Sequence, residues 1–210
     1  MESMIALTSA PVPLGEYVPS ADQRVVLRGV GWQGYQALLT LRGERRRPKV
    51  AYLDGAVELM TTSREHEGIK GTIGRLVEVY CDERRLAWST FGNWTLDDES
   101  EDAGAEPDEC YIFGPTPGCK ERPELVIEVV WTSGGINKLE IYRRLGIAEV
   151  WFWKTGAISV YQLTANGYEP RPASIVVPGI DLAMIAELVH IEPTSDATAQ
   201  LRERLRATDA

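Results

Sequence analysis

The spacing of apolar residues changes from one segment of this chain to the next, and each spacing predicts an element. From Ser63 to Tyr80, the residues Ile69, Ile73, Leu76, Val77 and Tyr80 form one stripe at helical spacing, which predicts an amphipathic helix. Thr62, followed three residues later by Glu65, has the form of a capping box at its start. Residues 32–41 repeat the helical pattern, with Pro48 as a stop. Residues 49–54 and 56–61 read instead as strands joined at Asp54-Gly55, a favoured hairpin turn pair. A second hairpin is predicted for residues 149–154 and 157–163 across Thr155-Gly156. Residues 86–94 and 175–177 read as single strands, and 182–189 as a short helix.

The densest information lies between Pro107 and Leu145. Residues 107–113 are rich in strand formers, and the loop 114–122 holds two prolines and two glycines. The apolar run 123–131 then reads as a buried strand. Glu128 sits in its middle, where a charge requires a partner. Antiparallel pairing across the loop places Phe113 opposite Pro123 and Asp108 opposite Glu128. Directly opposed residues have Cβ atoms roughly 5 Å apart. Two carboxylates that close repel unless one is protonated or a cation lies between them. A hard divalent ion such as Mg²⁺ suits such a pair. The other arrangement consistent with these residues leaves one carboxylate in solvent and bonds the other to backbone.

Residues 136–145 read as a helix that ends at Gly146, with Ser133 as its cap. Lys138, Tyr142 and Leu145 are spaced to lie on or beside the face that packs on the sheet. A lysine in the first turn opposes the helix dipole. It is either a snorkelling surface residue or the partner of the carboxylate pair. On the preceding long helix, His66 points inward and Glu65 flanks the apolar stripe. A hydrogen-bonded core histidine competes with a catalytic role for His66, and the capping box competes for Glu65.

Taken together, Pro107-Asp108, Glu128-Val129-Val130 and a following lysine resemble the PD-(D/E)XK nuclease superfamily. The chain is more closely similar to a widespread bacterial group of restriction-endonuclease-like proteins, known as a domain of unknown function. The likeness covers roughly residues 30–190, including Tyr52 to Met60, Ser63 to His66 and Lys138 to Trp153. It implies a restriction-endonuclease-like α/β fold, with a mixed central sheet flanked by helices in a single domain. It also implies Mg²⁺-dependent endonuclease chemistry on DNA, with Mn²⁺ as an alternative ion, Asp108 and Glu128 holding the metal, the Val129 carbonyl as an extra ligand and Lys138 assisting the attacking water. The chain departs from the superfamily pattern at Val130, where a lysine is expected; the resemblance implies that Lys138 reaches back from the helix. In that fold an acidic residue of the first core helix often lies near the metal, which raises Glu65 and His66.

Composition constrains these expectations. The 210 residues are 44% hydrophobic and 25% charged, ordinary for one globular domain. The net charge of −9 argues against a tight nonspecific grip on nucleic acid, which rests on Lys and Arg neutralising phosphates. Arg42, Arg45, Arg46, Arg47 and Lys49 are crowded enough to serve as a phosphate contact, or to be a solvated turn. The acidic stretch 97–106 reads as a solvated, mobile loop. Cys81, Cys110 and Cys119 have no metal-ligand spacing and fit reduced thiols in a cytoplasm. No apolar run approaches a membrane span. Residues 1–20 read as an extended arm, 21–192 as the domain, and 193–210 as a loose polar tail. Trp151 and Trp153, taken as exposed near a sheet edge, suggest a homodimer. Against the endonuclease stand a catalytically inactive binding or dimerisation module and a hydrolase of some other phosphate ester.

Overall fold

The computed structural model describes residues 21–92, 94–130 and 135–208. The arm expected over 1–20 and the cap expected at Ser133 lie outside the described residues. Strand β1 (Gln23–Arg28) leads into helix α1 (Trp32–Arg42), then into the hairpin of β2 (Lys49–Leu53) and β3 (Ala56–Thr61). Asp54 and Gly55 both take positive φ, 46° and 75°, as the tight turn requires. Helix α2 (Arg64–Glu83) follows, then the short strands β4 (Trp88–Thr90), β5 (Leu96–Asp98) and β6 (Ala103–Ala105). Next come β7 (Glu109–Phe113), β8 (Leu125–Val129) and helix α3 (Lys138–Arg144). Strands β9 (Glu149–Lys154), β10 (Ala157–Thr164) and β11 (Gly167–Arg171) precede helices α4 (Leu182–Leu188) and α5 (Thr194–Thr208).

This is the expected mixed α/β fold in one domain, with the strands divided between two sheets. One is antiparallel throughout, in the order β1-β3-β2-β6-β5; the other runs β11-β10-β9-β8-β7-β4. Within the second sheet β8 and β9 are parallel, and the helix between them supplies the crossover that parallel neighbours need. Strand β8 is buried on both faces, which explains its unbroken apolar character. Leu125, Ile127 and Val129 join a core with Ile73, Leu76 and Val77 of α2. Val126 faces the other way, towards Ile141 and Tyr142 of α3. Glu128 alternates onto this α3 face. The β7–β8 ladder pairs Glu109 with Ile127, Cys110 with Val126 and Tyr111 with Leu125. That register is the one read from the sequence, and it puts Asp108 one step beyond the last pair, level with Glu128.

Several expectations need correction. Helix α2 is capped by Ser63, whose side chain accepts the His66 N–H, and not by a Thr62–Glu65 box. Thr62 instead donates to Glu67. Helix α3 starts at Lys138 and is capped by Asn137. The acidic stretch is no mobile loop: it folds as the β5–β6 hairpin and buries Glu106. Residues 175–177 form no strand, because the N–H groups of Ile175 and Val176 turn to the Glu149 carboxylate. Trp151 and Trp153 are 0% and 1% exposed, which removes the observation behind the homodimer.

The expected loose tail is also wrong. Residues 194–208 form α5, with Ala197, Leu201 and Leu205 buried in the core that α2 shares. One narrow stripe at every fourth position was enough, because α2 and α4 offered an apolar surface to cover. Leu201→Ala should therefore cost about 2–5 kcal/mol, the usual range for a buried leucine. Urea unfolding followed by circular dichroism measures this; a loss within error of zero would mean that α5 does not dock.

Candidate active site

The candidate site begins where the chain passes from one sheet to the other. Strand β6 ends at Ala105 and β7 starts at Glu109, so Asp108 lies in the connection, fully buried. A carboxylate there needs partners, and three elements supply them. Lys49 of β2 donates to Asp108 Oδ1 at 2.5 Å and to the Pro107 carbonyl at 2.9 Å. The Val129 N–H, at the end of β8, donates to Asp108 Oδ2 at 2.7 Å. His66 of α2 brings Nε2 to 3.1 Å from the same oxygen, within ion-pair reach though off the axis of a well-formed hydrogen bond. Burial alone would raise the Asp108 pKa, but the Lys49 and His66 charges outweigh it and hold the carboxyl well below its ordinary value.

Glu128 has a different set of neighbours. Lys138, the first residue of α3, donates to Glu128 Oε1 at 3.1 Å, and the Tyr142 hydroxyl donates to the same oxygen. Burial raises the Glu128 pKa, Lys138 opposes it, and the nearby Asp108 charge adds to the rise. For Lys138 burial favours the neutral amine, yet the Glu128 and Glu58 charges more than compensate and raise its pKa. The environments of Asp108 and Glu128 thus pull two adjacent carboxyls in opposite directions.

The structure therefore brings together Asp108, Glu128, Val129, Lys138 and His66. It does not bring Glu65, which is exposed on the outer side of α2's first turn. There Glu65 lines a cleft of about 1090 Å³ with Trp153 and His190. The basic run is largely used up within the fold. Lys49 is buried against Asp108, Arg42 is paired with buried Glu106, and Arg47 lies 3.1 Å from Glu67. Arg45 and Arg46 are exposed. The expected five-residue phosphate contact is reduced because the turn's flanking cations neutralise buried acids first.

Two neighbours of the candidate site escaped the sequence reading. Asp22 accepts from His66 Nδ1 at 2.8 Å and from the Ser63 N–H at 2.8 Å. Nothing in the pattern around Asp22 marked it. Glu58 of β3 is 3% exposed, accepts the Ile136 N–H at 3.0 Å and lies 3.2 Å from Arg24. A charge inside the apolar run Ala56 to Met60 was the same signal that singled out Glu128, and could have found it.

Among the described residues no group of three His, Cys, Asp or Glu side chains is arranged as a metal site. The donors that Asp108, Glu128 and the Val129 carbonyl would offer are all oxygen, the type a hard divalent cation takes. A strand residue's N–H and carbonyl point to the same side. The Val129 carbonyl is therefore directed, like its N–H, to the β7 side of β8.

His66 gives this site a pH signature. Burial disfavours the charged ring, but the flanking Asp108 and Asp22 carboxylates prevail and raise its pKa from 6.5 to about 9. A raised pKa stabilises the fold fully below the unfolded value and loses that contribution as pH climbs through the folded one. In metal-free buffer the unfolding free energy should fall between pH 6.5 and about 9, and His66→Gln should flatten that decline. Denaturant titrations across the range check this; parallel profiles for the two proteins would contradict it.

Comparison with known proteins adds three findings. None of the curated proteins compared matches the chain. The fold is similar to the crystal structure of a "putative nuclease belonging to DUF820" from Anabaena variabilis ATCC 29413. That likeness has a TM-score of 0.44 at 14% identity, over 73% of this chain and 92% of the other. The family model described as "Uma2: Putative restriction endonuclease" matches residues 32–188, three-quarters of the sequence and every element from α1 to α4. The chain belongs to that Uma2 family.

Proposed function

We propose that this protein is a Mg²⁺-dependent endonuclease that hydrolyses phosphodiester bonds in DNA, with Mn²⁺ as a working substitute. One observation carries the reading: Asp108 and Glu128 lie level at adjacent strand ends, with Lys138 3.1 Å from Glu128. Asp108, Glu128 and the Val129 carbonyl are the groups that would hold the ion. Bound there, a divalent cation supplies Lewis-acid stabilisation of the phosphoryl oxygens and a more acidic water.

The chain's own residues do the rest. Lys138 is the donor placed to orient the attacking water and to offset charge that develops on the phosphoryl group. Tyr142 keeps Glu128 turned towards Lys138, since both donate to one carboxylate oxygen. His66 and the Val129 N–H fix the Asp108 carboxylate in rotation. Of the basic run, Arg45 and Arg46 remain exposed to meet the phosphate backbone.

A second reading, a nuclease-fold module that binds without cutting, is favoured by the net charge of −9. Plasmid cleavage separates the two. Lys138→Met should fold and bind Mn²⁺ by calorimetry, yet cleave about 10²–10³-fold more slowly with Mg²⁺, the typical cost of one positioned donor. Asp108→Asn should abolish Mn²⁺ binding. Equal cleavage by wild type and Lys138→Met would remove Lys138 from the mechanism. Wild-type protein that binds DNA but cuts none of a broad panel would establish the binding module.

A further inference from the structure

We infer that Lys49 is a built-in counter-cation for the metal site: its ammonium holds the Asp108 oxygen that a divalent ion would take, and it must leave for the ion to bind. The inference rests on the metal-dependent reading above and adds to it a residue that sets the site's affinity.

The position of Lys49 is unusual for a lysine. It is 7% exposed, and its Nζ sits 2.5 Å from Asp108 Oδ1 and 2.9 Å from the Pro107 carbonyl. Two oxygens are thus gathered around one cationic nitrogen. Asp108 Oδ2 is already taken by the Val129 N–H and approached by His66. Oδ1 is therefore the oxygen left for an incoming ion, and Lys49 occupies it. Its charge also reaches Glu128, where it counters the rise that burial and Asp108 impose, after Lys138. An ammonium paired with Asp108 does, in the metal-free protein, part of what a divalent ion would do in the loaded one.

Both cations cannot share that oxygen. Like charges a few ångströms apart in a buried site repel strongly. The two lysines differ in this respect. Lys138 enters from α3 and meets Glu128, whereas Lys49 enters from β2 and blocks Asp108. A flexible four-carbon stem lets Lys49 swing away without moving β2. While it is seated, the site is not competent for metal, and the apparent affinity falls by the competent fraction. Seating it keeps a buried carboxylate from standing alone when no metal is present.

Calorimetric titration of Mn²⁺ into wild type, Lys49→Met, Lys49→Arg and Asp108→Asn tests the inference. Lys49→Met should bind Mn²⁺ about tenfold more tightly than wild type, if Lys49 is seated some nine-tenths of the time. Its melting temperature should be lower than wild type without metal and should rise more on adding Mn²⁺. Lys49→Arg, which keeps the charge, should bind no more tightly than wild type. Asp108→Asn should not bind. A second readout uses the wild-type protein. The Lys49 ammonium signal in ¹H–¹⁵N spectra, assigned by its loss in Lys49→Arg, should shift or vanish as Mg²⁺ saturates the site. Equal or weaker Mn²⁺ binding by Lys49→Met, or a Lys49 signal unmoved at saturation, would overturn the counter-cation while leaving the metal site intact. Absence of Mn²⁺ binding to wild type and Lys49→Met alike would overturn both.

Discussion

The structure depends on neutralising one buried carboxylate. Asp108 sits where the chain leaves the first sheet and enters the second, with no solvent to stabilise its charge. Moving a lone ion into a protein interior costs several kcal/mol even after relaxation. The fold meets that cost with a lysine from β2, a histidine from α2 and an N–H from the end of β8. Those three elements belong to the first sheet, the long helix and the second sheet. Satisfying Asp108 therefore fixes how the layers meet, and the same contacts assemble the candidate site.

Glu128 and its lysine form the second half of that assembly, and a separate group of residues positions them. Glu58 accepts the Ile136 N–H just before α3 and sits beside Arg24 of the edge strand β1. Gly135 is required at this crossing. Its φ is 126°, and a Cβ there would fall 2.1 Å from Glu58 Oε2. Asn137 then caps the helix, and Lys138 emerges in the first turn facing Glu128. The lysine's unfavourable place in the helix dipole is offset locally, because it has a carboxylate beside it.

Charge is distributed with the same economy. Of the basic run that begins at the last residue of α1, Arg42 and Lys49 are claimed by Glu106 and Asp108. Pairs such as Arg144 with Asp54 lie largely at the surface, where ion pairs are worth little. Within that run Arg45 and Arg46 remain exposed.

The sequence by itself determined the elements with strong local signals. The stripe on α2, the Asp-Gly and Thr-Gly hairpins, and the buried run of β8 each carry their period and their turn chemistry within a short window. For β7 and β8 the sequence offered a register that a nine-residue loop leaves free to slip, and the structure has that pairing. That pairing set Asp108 opposite Glu128, while the family resemblance was needed to bring Lys138 to them. Only the tertiary structure decided the rest. Asp22 joins His66 across 44 positions, and Lys49 reaches Asp108 across 59. Residues 194–208 became a docked helix because a distant apolar surface was waiting for them. No local period encodes such partners: a buried charge states that it needs a counter-ion, and the packing of remote elements decides which residue provides it.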